Sequence, residues 1–196
     1  MTETYKFKFV NRVPVVTKDG ASWMVDTGCP FSYPDPRVAL KKATQDFHGL
    51  PGLRVMGLDS LRRYTKIDYP NAEIVTSDEP IEGGEDMVQV VARFGRPCSV
   101  TMTVGAETHD FFIDTGAAYS YLHNLSTSYH EEGVVQDNGF SGRTWTARVR
   151  RVPASYKAIS FEVLCADALE NCEMVPSQGV IGYDFFNRFV VLMEKL

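Results

Sequence analysis

The sequence predicts an all-β protein with few short helices, built as two lobes and internally duplicated about a pseudo-two-fold axis. Three observations predict this. First, Trp23-Met24-Val25-Asp26-Thr27-Gly28-Cys29-Pro30-Phe31-Ser32-Tyr33 aligns without a gap on Phe111-Phe112-Ile113-Asp114-Thr115-Gly116-Ala117-Ala118-Tyr119-Ser120-Tyr121. Second, each copy is followed by an apolar-apolar-Gly-x-Asp segment, Val55-Met56-Gly57-Leu58-Asp59 and Val180-Ile181-Gly182-Tyr183-Asp184. Third, most of the remaining chain reads as short strand-like runs separated by turn residues. Repetition at a fixed spacing sets architecture before any single element does, and here the two aspartates lie 88 residues apart.

The elements follow in order. Residues 5–17 alternate loosely and end at Lys18-Asp19-Gly20, a turn signal before the strand Ala21 to Val25 that carries Asp26. Asp35, Pro36 and Gly49 are well placed to start and stop a helix between them. Asp59 suits the cap of a short helix, and strand material is expected over Ile67 to Val75. Ser77 to Asp86 is acidic and holds Pro80 and paired Gly83-Gly84, a linker composition. The domain reading is therefore an N-terminal lobe over 1–78, a linker over 79–86 and a C-terminal lobe over 87–196.

The two halves differ in what separates their matching parts. Asp26 and Gly57 are 31 residues apart, whereas Asp114 and Gly182 are 68 apart. The extra length holds a hairpin over about 134–149, with Asn138-Gly139 and Gly142 at its tip. A strand from about Ala158 to Cys165 follows, and another from Val190 to Met193. The first lobe is thus a reduced one, with a helix in place of the hairpin.

Bulk properties exclude several classes. A 196-residue chain buries roughly 70% of its extended surface and needs no covalent staples. A net charge of −5 with mixed signs leaves no nucleic-acid footprint. Arg143 to Arg151 alternate with Trp, Thr, Ala and Val and read as the solvent face of a strand. No window approaches a membrane span, and the first residues hold no apolar run of signal-peptide length. We expect a cytoplasmic protein with its four cysteines reduced; a Cys165–Cys172 pairing stays open, and Cys-x6-Cys without a nearby His is a poor metal signature. His123, His130, Glu131 and Glu132 read as a solvated loop, so no metal and no cofactor is expected.

Together these pieces resemble the aspartic proteases of the retropepsin and pepsin group. Val25-Asp26-Thr27-Gly28, Ile113-Asp114-Thr115-Gly116-Ala117, Val55-Met56-Gly57 and Val180-Ile181-Gly182-Tyr183-Asp184-Phe185 carry the resemblance. It implies the two-lobed acid-protease fold, with one catalytic aspartate, Asp26 or Asp114, from each lobe. It implies supporting roles for Thr27, Gly28, Thr115, Gly116, Gly57 and Gly182, the threonines sending their hydroxyls across the axis. It also implies a flap closing over a peptide or protein substrate. Only the second half has room for that flap, unlike retropepsin dimers with two or pepsins with one in the first lobe. Phe140 and Trp145 are its candidate substrate contacts, although Trp145 serves equally as a cover for its own lobe.

The chemistry is that of paired acids. Two carboxyls within a few ångströms cannot both ionise cheaply, so one keeps its proton and the pair titrates as a unit. Such a pair activates water without a covalent intermediate. Pepsin-like enzymes often carry Ser or Thr after the Gly; here Cys29 and Ala117 stand there, which predicts a less acidic pair. Cys29 fills a small-residue position. With no long segment before Asp26, activation by removal of a prosegment is not expected. A monomeric endopeptidase is the leading reading. Its rivals are a non-catalytic peptide-binding module on the same fold, a homodimer pairing Asp114 with its twin, and a processing enzyme with one protein target.

Overall fold

A computed structural model describes residues 1–33, 52–93, 98–123, 125–138, 144–167 and 179–196. The chain folds into two strongly curved sheets, each centred on one copy of the repeat, giving an all-β, two-lobed, internally duplicated architecture.

The first sheet takes β1 (Thr2–Val10), β2 (Val13–Lys18), β3 (Ala21–Val25), β4 (Arg54–Met56), β5 (Tyr64–Asp68), β6 (Glu73–Ser77) and β7 (Val88–Ala92). The second takes β8 (Ser99–Val104), β9 (Glu107–Ile113), β10 (Ser120–Leu122), β11 (His130–Asn138), β12 (Thr144–Tyr156), β13 (Ile159–Asp167) and β14 (Gly179–Ile181). A single-turn helix α1 (Tyr183–Arg188) leads to β15 (Val191–Lys195). The spatial orders are β4-β3-β2-β1-β6-β5-β15-β7 and β11-β12-β13-β10-β14-β9-β8, the second sheet closing on itself where Ala154 of β12 meets Val104 of β8. Period-two patterning drives these strands: Val88, Val90 and Ala92 of β7 face inward, as do Val100, Met102 and Val104 of β8.

The duplication is visible residue by residue. β3 runs parallel to β4 with Val25 opposite Met56, and β9 runs parallel to β14 with Ile113 opposite Ile181. Tyr33 then returns antiparallel to Val55, as Tyr121 returns antiparallel to Val180. One continuous core runs between the lobes, with Val25, Met56, Ile67, Phe111, Phe185 and Phe186 among its members.

Several expected elements are corrected. The run 5–17 is two strands, broken by a two-residue turn in which Asn11 (φ 48°) and Arg12 (φ 70°) are both left-handed; that conformation matches the twist of a tight hairpin. Ile67 to Val75 is also a hairpin, β5 turning into β6 through Ala72 (φ 49°). Asp59 lies inside the short 3-10 turn Leu58–Ser60, which Gly57 caps and no side chain caps. The hairpin expected over 134–149 extends slightly further, from His130 to its partner Arg151. His130, Glu131 and Glu132 belong to β11 and not to a loop; Glu132 pairs with Arg151 at 2.6 Å. Within the basic cluster Arg150 is buried, not solvent-facing, and its guanidinium meets Asp167 at 2.8 Å. The helix expected after Asp35 lies outside the described residues, as does Cys172.

The largest rearrangement concerns sheet membership. β7 and β15, both beyond residue 86, sit in the first sheet. β15 lies between β5, where Val191 opposes Ile67, and β7, where Val191 opposes Val88. Lys195 donates from Nζ to the carbonyls of Leu58 and Leu61, capping the 3-10 turn after Gly57. The acidic linker is largely exposed, so the lobes are joined by this shared strand and core more than by the linker. Cys29, Cys98 and Cys165 are buried free thiols, each pushed up to about 12 by burial.

Candidate active site

Asp26 and Asp114 each leave the end of a parallel strand and enter a tight turn. The amide of Asp26 bonds the Met56 carbonyl at 3.0 Å, and that of Asp114 bonds the Ile181 carbonyl at 3.0 Å. Each turn then closes on itself, Cys29 N–H to the Asp26 carbonyl and Ala117 N–H to the Asp114 carbonyl, both at 3.2 Å. Strand and turn thus aim both carboxyls at the axis between the lobes, where they hydrogen-bond to each other.

Four reciprocal hydrogen bonds fix their separation. The Thr27 amide donates to Thr115 Oγ1 and the Thr115 amide to Thr27 Oγ1, each at 3.0 Å. Thr27 Oγ1 donates to the Ile113 carbonyl at 3.2 Å, and Thr115 Oγ1 to the Val25 carbonyl at 2.7 Å. Both threonines are almost fully buried, so every one of these donors and acceptors would otherwise be left unsatisfied. Tyr69, at the β5–β6 turn, adds a contact from its hydroxyl to the Thr115 carbonyl at 3.4 Å.

The glycines are there for close approach. A methyl group on Gly28 would stand 2.5 Å from Asp114 Oδ2, and one on Gly116 would stand 2.7 Å from Asp26 Cγ. Gly57 and Gly182 back the same turns: a Cβ there would strike the carbonyls of Phe31 and Ala117 respectively. Their amides are held by a matched pair of serines, Gly57 to Ser32 Oγ at 2.9 Å and Gly182 to Ser120 Oγ at 3.3 Å. The eight aspartate, threonine and glycine positions singled out in the sequence therefore converge on one centre.

The electrostatics of the pair are unequal. Burial raises Asp26 well above the usual carboxylate range, and the charge of Asp114 raises it further. Burial also raises Asp114, but the hydrogen bond from Asp26 and the amides of Gly116, Gly28 and Ala117 oppose that rise. Gly116 N–H reaches Asp114 Oδ1 at 2.7 Å. Both carboxyls are therefore raised, Asp26 the more strongly, and the pair holds one proton and titrates as a unit. Asp26 Oδ1 is buried and accepts no hydrogen bond among the described residues. The residues after each Gly give the carboxyls no hydroxyl: the Cys29 thiol points instead at the Phe31 carbonyl, 2.8 Å away, and Ala117 has no donor.

A stability consequence follows. A carboxyl whose proton affinity rises on folding stabilises the fold below its unfolded pKa, near 4, and loses that contribution as pH climbs through its raised folded value. Asp26→Asn is expected to melt higher than the wild type at pH 7, the gap closing below about pH 4. Thermal melts at the two pH values check this; a variant less stable at pH 7 than at pH 3.5, relative to wild type, contradicts the raised proton affinity of Asp26.

Of the flap candidates, Phe140 lies outside the described residues. Trp145 packs on its own lobe, 6.4 Å from the Tyr121 ring and beside Ala117. Phe31, the counterpart of Tyr119, is 48% exposed. Sequence reasoning gave no role to Ser32, Ser120, Tyr69 or Arg12. The serines were legible as repeated positions; Tyr69 and Arg12 act across the lobes, and nothing in the repeat announces them. No protein-family model matches the chain, and no curated protein matches it. Among the described residues no helix is long and apolar enough to cross a membrane.

Proposed function

We propose that the chain is an aspartic endopeptidase that hydrolyses peptide bonds with water held between Asp26 and Asp114. One observation carries this reading: two carboxyls from symmetric loops of one polypeptide, Asp26 buried and Asp114 half-buried, hydrogen-bond to each other on a scaffold that holds them together. Buried acids held face to face destabilise a fold, and a pure peptide-binding module gains nothing from them.

In the reaction, the Asp114 carboxylate takes a proton from water as the water oxygen bonds to the scissile carbonyl carbon. Asp26 gives its proton to the carbonyl oxygen, and a neutral tetrahedral diol forms. Collapse of the diol breaks the C–N bond; the departing nitrogen takes the proton now on Asp114, and a diol hydroxyl returns a proton to Asp26. No covalent enzyme intermediate is involved. The pairing of Asp26 with Asp114 inside one chain favours a monomer over a homodimer that leaves Asp26 idle.

Because neither Cys29 nor Ala117 supplies a hydroxyl to the pair, the rate on a mixed peptide library is expected to peak at about pH 5–6. The test is incubation with that library across pH 2–8, with the products read by mass spectrometry. An optimum below pH 3 would overturn the electrostatic part of the reading; absence of cleavage at every pH would overturn the endopeptidase.

A further inference from the structure

We propose that Arg12 is a positioning residue for the carboxyl pair, an interlobe latch that holds the Asp114 loop in register with the Asp26 loop. This rests on the endopeptidase reading for its consequence in catalysis, though not for its structural basis. Arg12 sits at the tip of the β1–β2 hairpin of the first lobe. Its Nη2 reaches Asp184 Oδ1 of the second lobe at 2.6 Å. Its guanidinium also lies over the rings of Tyr183, at 4.5 Å, and Tyr119, at 5.1 Å.

These three partners bracket the support of Asp114. Tyr119 ends the active loop, and its carbonyl abuts Gly182. Tyr183 N–H bonds the Ala117 carbonyl at 3.1 Å. Asp184 is anchored from its own lobe by Leu164 N–H on Oδ2, at 2.8 Å. On the other side, β2 continues directly from Arg12 and pairs with β3, Val15 opposite Met24, two residues before Asp26. The latch therefore ties the strand behind one carboxyl to the turn behind the other.

Two further features separate this from an incidental surface pair. Asp59, which occupies the position of Asp184 in the first lobe, is exposed and bonds Ser32 of its own lobe, so the repeat does not require a cross-lobe partner there. And Arg12 holds a left-handed backbone (φ 70°) at the hairpin position where glycine fits best. A strained backbone at a residue whose side chain bridges the two lobes points to a role for that side chain. The Arg12 and Asp184 side chains are 26% and 19% exposed, enough burial for the pair to hold its geometry.

The strained turn supplies a discriminating variant. Arg12→Gly relieves the backbone while deleting the latch, and Asp184→Asn removes the charge while leaving an oxygen for Leu164 N–H. Cys29 and Tyr69, whose titration the charges of Asp26 and Asp114 raise, are not substituted in either variant. Carboxyl carbon NMR titration of the intact protein reads the Asp26–Asp114 coupling without any substrate. In both variants the high-titrating carboxyl is expected to move toward the ordinary range, and kcat on a cleaved peptide to fall about tenfold or more with KM changing less. Arg12→Lys should be intermediate, since an ammonium cannot reproduce the planar stack. An unchanged titration in Arg12→Gly overturns the latch, whatever happens to the melting temperature; should that variant not fold, Asp184→Asn is read by the same criterion. A shifted titration in a protein that cuts no peptide supports the latch and removes the endopeptidase reading alone.

Discussion

Asp114→Asn is expected to lower kcat/KM on any cleaved peptide by about 10³-fold or more, because in the proposed mechanism it removes the base that takes the proton from water. The amide keeps the size of the side chain and an oxygen for the Gly116 amide, so folding should survive. Circular dichroism and a thermal melt establish that the variant is folded; product formation by mass spectrometry gives the rate. The same loss is expected for Asp26→Asn, in which the carbonyl loses its proton donor. If either single variant keeps more than a tenth of the wild-type rate, the two acids do not work as a pair. If Asp114→Asn is dead while Asp26→Asn is fully active, the homodimer pairing two copies of Asp114 becomes the better account.

Thr115→Val is expected to cost the largest amount of stability for the smallest change in shape. Its hydroxyl accepts from the Thr27 amide and donates to the Val25 carbonyl, both deep between the lobes. Valine leaves each without its partner, at about 1–3 kcal/mol apiece. For a chain of this length that corresponds to a fall in Tm on the order of 10 °C. Thr115→Ser keeps the hydroxyl and gives up one methyl group, for about 1 kcal/mol. Urea or thermal unfolding of the two variants side by side decides the matter. Equal losses would mean that packing of the methyl group, and not the crossed hydrogen bonds, holds the loops together.

The site was legible in the sequence because duplication doubles every signal. Asp26 and Asp114, the threonines and the four glycines each stand in an ungapped pair, and the structure places each pair at symmetric positions. What was not legible is whatever one lobe does to the other. The turn at Asn11-Arg12 carries no glycine, so residues 5–17 read as one loosely alternating run; only the left-handed backbone, which Asn tolerates and Arg accepts under tension, reveals the hairpin. The strand near Val191 reads as belonging to its sequence neighbours, since periodicity says which face is buried but not which strand lies alongside. Trp145 was readable as an aromatic on a hairpin, and only the packing shows that it lies against Tyr121 of its own lobe.

The placement of Val191–Lys195 between β5 and β7 bears on how the protein is made. Ribosomes deliver these residues after all of the second lobe, at roughly 5–20 residues per second. For on the order of 10 s after β7 emerges, the nascent first lobe has a gap between β5 and β7, one strand in from the edge of its sheet, and the 3-10 turn after Gly57 lacks its Lys195 cap. The carboxyl pair cannot come together on a half-made chain. Synthesis itself thereby delays completion of the first sheet until Val191–Lys195 have been made, a form of timing that depends only on the order in which the strands are written.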